Sequence, residues 1–231
     1  VFAIAVILAA AAGLVVGFFA PRISVSIVGL EIPERPIFYS ISAGLLAAFT
    51  VFAVGTSAVV WAWLAVALVG AVLSFVDLAH HRLPDRLVLI LYAAVLVLLL
   101  IPAIAAGDWA AYLRALLAAV AMFAAYFLLA LIYPAGMGMG DVKLAGALGL
   151  ALGFLGWGYV IVGFFAAFFL GSFIGLGLMV LRKASRKTPI PFGPFMIVGA
   201  VVAVLLTGPL GDAYSGSLDL SSAGSIPVVK H

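Results

Sequence analysis

Eight apolar runs, separated by short polar or Gly/Pro-rich breaks, make up most of the 231-residue chain. A membrane-spanning helix needs about 20 predominantly apolar residues, whereas a membrane β-barrel shows short segments of alternating polarity. The runs here are continuous and rich in Ala, Leu, Val and Gly. They predict spanning helices at roughly 1–20, 38–55, 57–77, 86–106, 110–133, 142–156, 158–181 and 192–208, the second, sixth and eighth being short. The breaks agree with these limits. Pro21-Arg22 is expected to end the first helix and Pro33-Glu34-Arg35-Pro36 to break the first loop. Gly55-Thr56-Ser57 reads as a turn, and Pro84 as a stop followed by Asp85 as the N-cap of the fourth helix. Gly107-Asp108 and Gly156-Trp157-Gly158 mark two further boundaries. The first run lacks the positive start of a secretory signal peptide and is expected to be a retained helix.

The expected fold is therefore all-α, a polytopic integral membrane bundle of about eight transmembrane helices. Residues 1–210 would form one domain, and 211–231, rich in Ser, Gly and Asp, a disordered tail. Composition agrees. Only 8% of residues are charged and 68% are hydrophobic, against about 25% charged in a soluble domain, so lipid is the solvent for most of the surface. The absence of cysteine excludes disulfides, thiolate metal sites and a cysteine nucleophile. The adjacent His80 and His81 lack a clear third ligand, so neither a metal nor another cofactor is expected, and both read as solvated interfacial histidines. No basic stripe interleaved with aromatics points to nucleic acid. Trp61, Trp63, Trp109 and Trp157 fit interfacial anchors, the first two at greater depth.

Charge placement gives orientation. Arg22, Arg35, Arg82, Arg86, Lys143, Arg182, Lys183, Arg186 and Lys187, nine of the eleven cations, follow the odd-numbered spans; Arg114 and Lys230 lie on the other side. The positive-inside rule then puts the odd-numbered loops in the cytoplasm and both ends outside, with Arg182, Lys183, Arg186 and Lys187 fixing that topology. Asp77, His80, His81, Asp85 and Asp141 all fall on the cytoplasmic side.

Asp77 closes the third run and Asp141 opens the sixth, 64 residues later, at similar depth. A carboxylate at the bilayer centre costs about 2.5–3.5 kcal/mol on insertion scales, and less at a helix end. Two carboxyls facing each other at low dielectric share a proton, so one acts as general base toward water and the other as general acid toward a carbonyl. As single residues both also suit helix caps. Gly136, Gly138 and Gly140 precede Asp141, and Gly138 and Gly140 would let a substrate backbone approach. Lys143 is expected to reach the headgroups or to favour an ionised aspartate nearby.

The stretch Phe75-Val76-Asp77-Leu78-Ala79-His80-His81-Arg82-Leu83-Pro84-Asp85 resembles the first active-site motif of the type IV prepilin peptidases. Gly138-Met139-Gly140-Asp141-Val142-Lys143-Leu144 resembles their GxGD motif, and Ile190-Pro191-Phe192-Gly193-Pro194-Phe195 the segment before their last helix. The resemblance covers roughly 57–208 and implies several things. Asp77 and Asp141 would be the catalytic pair of an aspartyl endopeptidase. Its substrates would be prepilins or pseudopilins, whose basic leader is removed after a glycine at the cytoplasmic face of the plasma (inner) membrane. Asp85 and Lys143 would be supporting residues. Longer members carry a domain with paired CxxC motifs between the first two spans, linked to N-methylation. Here that connection runs only from about Pro21 to Ile37, so a peptidase-only form is expected. Presenilin-like and signal-peptide-peptidase-like enzymes also use GxGD, but with a tyrosine before the first aspartate and a later Pro-Ala-Leu; Val76 stands before Asp77 here and no such triplet follows Asp141. A small transporter would place ionisable groups near the midplane, where these spans hold almost none.

Overall fold

The computed structural model describes residues 1–134, 137–181 and 191–208. Gly136, Ile190, the cations Arg182, Lys183, Arg186, Lys187 and Lys230, His231, and the tail 211–231 lie outside the described residues.

Among the described residues eight helices follow one another: α1 (Phe2–Val28), α2 (Pro36–Val54), α3 (Val60–His80), α4 (Asp85–Ala106), α5 (Trp109–Ile132), α6 (Met139–Leu155), α7 (Trp157–Val180) and α8 (Gly193–Thr207). Six are long and apolar enough to cross a membrane, whereas α6 and α8 have 17 and 15 residues. The all-helical bundle expected from the apolar runs is what forms. One boundary differs. Pro21 does not end the first helix; α1 continues to Val28, where Gly29 adopts φ 71° and returns its N–H to the Val25 carbonyl. A proline removes one hydrogen bond from a helix, which neighbouring helices readily accommodate in a membrane bundle, whereas a left-handed glycine supplies a real terminus.

Helix α6 is the axis of the bundle. Val142 and every residue from Leu144 to Phe154 are buried. A helix apolar on all sides has no polar face to show and belongs inside. It packs most closely on α5, as α1 does on α2 and α7 on α8. Small residues make these approaches possible. A Cβ on Gly149 would lie 2.6 Å from the Ala118 carbonyl oxygen, and on α1 both Gly13 and Gly17 face α2 backbone, at Ala43 and Tyr39. Lipid-facing side chains collect on the periphery, as on α7, where Ile161, Phe165, Phe169 and Phe173 recur four apart and stay exposed. Among the tryptophans, Trp63 is fully buried, while Trp61, Trp109 and Trp157 are exposed.

Arg114, one of the two cations assigned to the opposite side, has a structural task. Its Nε and Nη2 donate to the Gly153 and Phe154 carbonyl oxygens, each at 2.8 Å, at the C-terminus of α6. The last carbonyls of a helix lack intrahelical donors and carry the negative end of its dipole, so a guanidinium there satisfies both needs. Arg114→Leu is expected to cost about 1–3 kcal/mol, measured as a lowered unfolding temperature in detergent.

Candidate active site

The other end of α6 meets the C-terminus of α3, the α3–α4 crossing at 81–84 and the N-terminus of α8. Asp77 lies in the last turn of α3 and is 4% exposed. The negative end of a helix dipole is a poor place for a carboxylate. A different helix compensates: the N–H of Gly193, first residue of α8, donates to Asp77 Oδ2 at 3.0 Å. That amide is one of the orphan donors that open every helix. Pro194 follows it in the first turn, where a missing N–H is harmless. Phe192 stacks among Tyr126 and Phe168, with ring centroids 6.4 and 5.1 Å away, and so anchors this end of α8 to α5 and α7. A side chain at 193 would displace the carboxylate, because a Cβ there would lie 2.9 Å from Asp77 Oδ2.

Asp141 is the third residue of α6, and its Oδ2 accepts the Gly138 N–H at 3.1 Å. This is half of a capping box, at the end of a helix that favours negative charge. Asp77, His81, Arg82, Leu83, Gly138, Met139, Gly140 and Asp141 together line a cavity of about 250 Å³. The two aspartates, 64 residues apart in sequence, thus open into one space. Among the described residues no three His, Asp or Glu side chains gather in a way that would hold a metal ion.

The neighbours depart from several expectations. Asp85 is not the N-cap of α4: Pro84 holds that position, and the Asp85 carboxylate instead meets Lys143 Nζ at 2.7 Å. Lys143 therefore reaches across to the α4 corner rather than out to headgroups. An ammonium within hydrogen-bond reach competes successfully with a peptide N–H for a carboxylate. The histidines are not simply solvated. His80 Nε2 donates to the Glu31 carbonyl at 2.7 Å, tying α3 to the α1–α2 connection. His81 ends α3 with φ 53° and lines the cavity. It is the sole non-glycine with positive φ among the described residues, a conformation that stores about 1 kcal/mol or more.

Gly138 and Gly140 bring backbone to the cavity wall, but the space above Gly140 is already filled. A Cβ there would fall 2.7 Å from Leu83 Cβ. The protein's own chain is the first thing a side chain at 140 would strike. Sequence reasoning assigned no role to Leu83, Arg82 or Gly193. The Gly193-Pro194 pair at a helix start was the one available signal, since it marks a helix whose first amide is free to serve another group.

Comparisons with known proteins add the family context of this region. The model of the type IV leader peptidase family matches residues 64–176, which include both aspartates. The chain is 34% identical over 151 residues to the prepilin leader peptidase/N-methyltransferase of Aeromonas hydrophila, covering 64% of this chain and 49% of that protein. The same-named protein of Stutzerimonas stutzeri is 30% identical over 185 residues, 80% of this chain and 63% of the relative. That of Pseudomonas aeruginosa is 33% identical over 134 residues, 58% and 45% respectively. No solved structure matches. These matches support the type IV prepilin peptidase family for the stretch that carries both aspartates. It spans about half the length of the first curated relatives it matches.

Gly193→Ala is expected to cost about 1–3 kcal/mol, by displacing the donor from a buried carboxylate. In an Asp77→Ala background the same change should cost less than half as much, measured as a double-mutant cycle on unfolding in detergent. Equal losses in both backgrounds would assign the cost to the Leu83 contact instead.

Proposed function

We propose that this protein is a membrane-embedded aspartyl endopeptidase that removes the leader of prepilin-like precursors. The observation that carries the reading is the shared cavity of Asp77 and Asp141. One carboxylate, ionised, takes a proton from water as the water oxygen attacks the scissile carbonyl carbon. The other, protonated, gives its proton to the carbonyl oxygen. Collapse of the tetrahedral intermediate then transfers a proton to the leaving amine. Gly138 contributes backbone to the wall along which the substrate lies, and Gly140, backed by Leu83, lines the same cavity without opening space for a side chain. Asp85 and Lys143 support the site from outside.

The substrate is a prepilin, the word that the names of the relatives carry, or a pseudopilin of the same leader-and-helix form. Its apolar helix lies in lipid against the bundle, and its basic leader remains on the cytoplasmic side. Orientation follows from the cations: Arg35, Arg82, Arg86 and Lys143 belong to the end that bears the cavity, so by the positive-inside rule that end faces the cytoplasm across the inner membrane. The relatives' names also include N-methyltransferase. In this chain seven residues, 29–35, join α1 to α2, too few for a domain of their own, and peptidase activity alone is assigned to residues 1–210.

Asp77→Asn and Asp141→Asn are each expected to lower cleavage of a co-expressed prepilin by at least about a thousandfold, with membrane levels unchanged. Full cleavage by Asp141→Asn would sink the proposal, and a cut mapped within the substrate's apolar helix would redirect it to intramembrane proteolysis.

A further inference from the structure

We propose that Leu83 is the positioning residue of this site, a spacer whose volume sets how far apart Asp77 and Asp141 are held. The inference rests on reading the two carboxyls as a working pair. Leu83 lies in the four-residue crossing between α3 and α4 and is 8% exposed. Two helix starts close on it. On one side is Gly140, where a Cβ would fall 2.7 Å from Leu83 Cβ and 3.2 Å from its carbonyl oxygen. On the other is Gly193, where a Cβ would fall 3.1 Å from Leu83 Cδ2. Each of these glycines is coupled to one acid. Gly140 immediately precedes Asp141, and the Gly193 amide holds Asp77 Oδ2 at 3.0 Å. Leu83 therefore stands between the two mounts, its backbone and Cβ against Gly140 and its δ-methyls against Gly193.

The corner carrying Leu83 is itself fixed to α6. Asp85, two residues beyond Leu83, pairs at 2.7 Å with Lys143, two residues beyond Asp141. This pair lies at the exposed rim of the corner, and the buried leucine fills the space beneath it. A buried leucine that touches no reacting atom influences rate through geometry alone. Interiors close only partly around a deleted side chain, so Leu83→Ala, which keeps the Cβ against Gly140 but removes the δ-methyls against Gly193, leaves a void into which the α8 start and the Asp77 it holds shift. A misplacement of about 1 Å at reacting groups costs on the order of a hundredfold in rate. Methionine nearly conserves the volume and the contacts.

The chain has no cysteine, so the spacing is measurable without any enzymatic assay. In the full chain in membranes, Asp77→Cys with Asp141→Cys supplies the only two thiols. Thiol-specific cross-linkers of graded span are then applied with Leu, Met or Ala at position 83. The expected result is that the shortest reagent that bridges the Leu form also bridges the Met form, while in the Ala form its yield falls severalfold and the optimum moves to another span. Identical span profiles for all three overturn the proposal. In the native pair, Leu83→Ala should lower kcat for a prepilin by about 10- to 100-fold with KM little changed, and Leu83→Met should retain most of the activity. A loss confined to KM would make Leu83 a substrate contact and also overturns it. Should Leu83→Ala fail to accumulate, Leu83→Val carries both measurements, with shifts of the same sign and smaller size. If the native chain cleaves no prepilin-like substrate, the peptidase reading fails, and the cross-linking profile still decides whether Leu83 sets the spacing.

Discussion

A buried carboxylate at the wrong end of its own helix is the constraint around which this bundle is arranged. Asp77 closes α3, where the dipole opposes it, and water is largely excluded. It becomes tenable because α8 begins at that point and turns a free amide toward it. Everything that fixes the start of α8 then follows as a requirement: the absent side chain at 193, the proline after it, and the Phe192 ring held between α5 and α7. One hydrogen bond thus links the third helix to the eighth across 116 residues of sequence.

The corner from Asp77 to Arg86 serves as a junction for the whole of this end. His80 and Arg86 grip carbonyls of Glu31 and Ile27. Asp85 holds Lys143 on α6, and Leu83 separates two glycines. These contacts are polar at the rim and apolar at the centre, which is the arrangement expected where a rigid scaffold must present two charged groups to water-accessible space. His81, the one non-glycine with positive φ among the described residues, is what allows the chain to leave α3 abruptly enough to make this corner.

Helix number, order and approximate limits were legible because apolar runs of spanning length leave little choice in lipid. The two aspartates were legible because an acid between apolar runs is rare. The rest was not, for reasons that differ from residue to residue. Pro21 looks like a terminator, but in a packed membrane helix its missing amide is cheap. Asp85 looks like a cap, and only the fold reveals Lys143, 58 residues away, as its partner. Gly140 looks like room for a substrate, and only the fold shows Leu83 occupying that room. Leucine is abundant throughout this chain, so nothing in the pattern sets position 83 apart.

The shortness of α6 carries a further consequence. At about 1.5 Å per residue, its 17 residues fall about 10 Å short of the 24 in α7. The two helices share their far end through the single residue Gly156, and Arg114 pins α6 there. The whole deficit therefore accumulates at the end bearing Asp141. Because α6 is enclosed by the other helices, that shortfall leaves a recess within the bundle, below the ends of the longer helices, through which water can reach the acids. A scissile bond at the edge of a substrate's apolar helix would then meet water at a depth where lipid elsewhere excludes it.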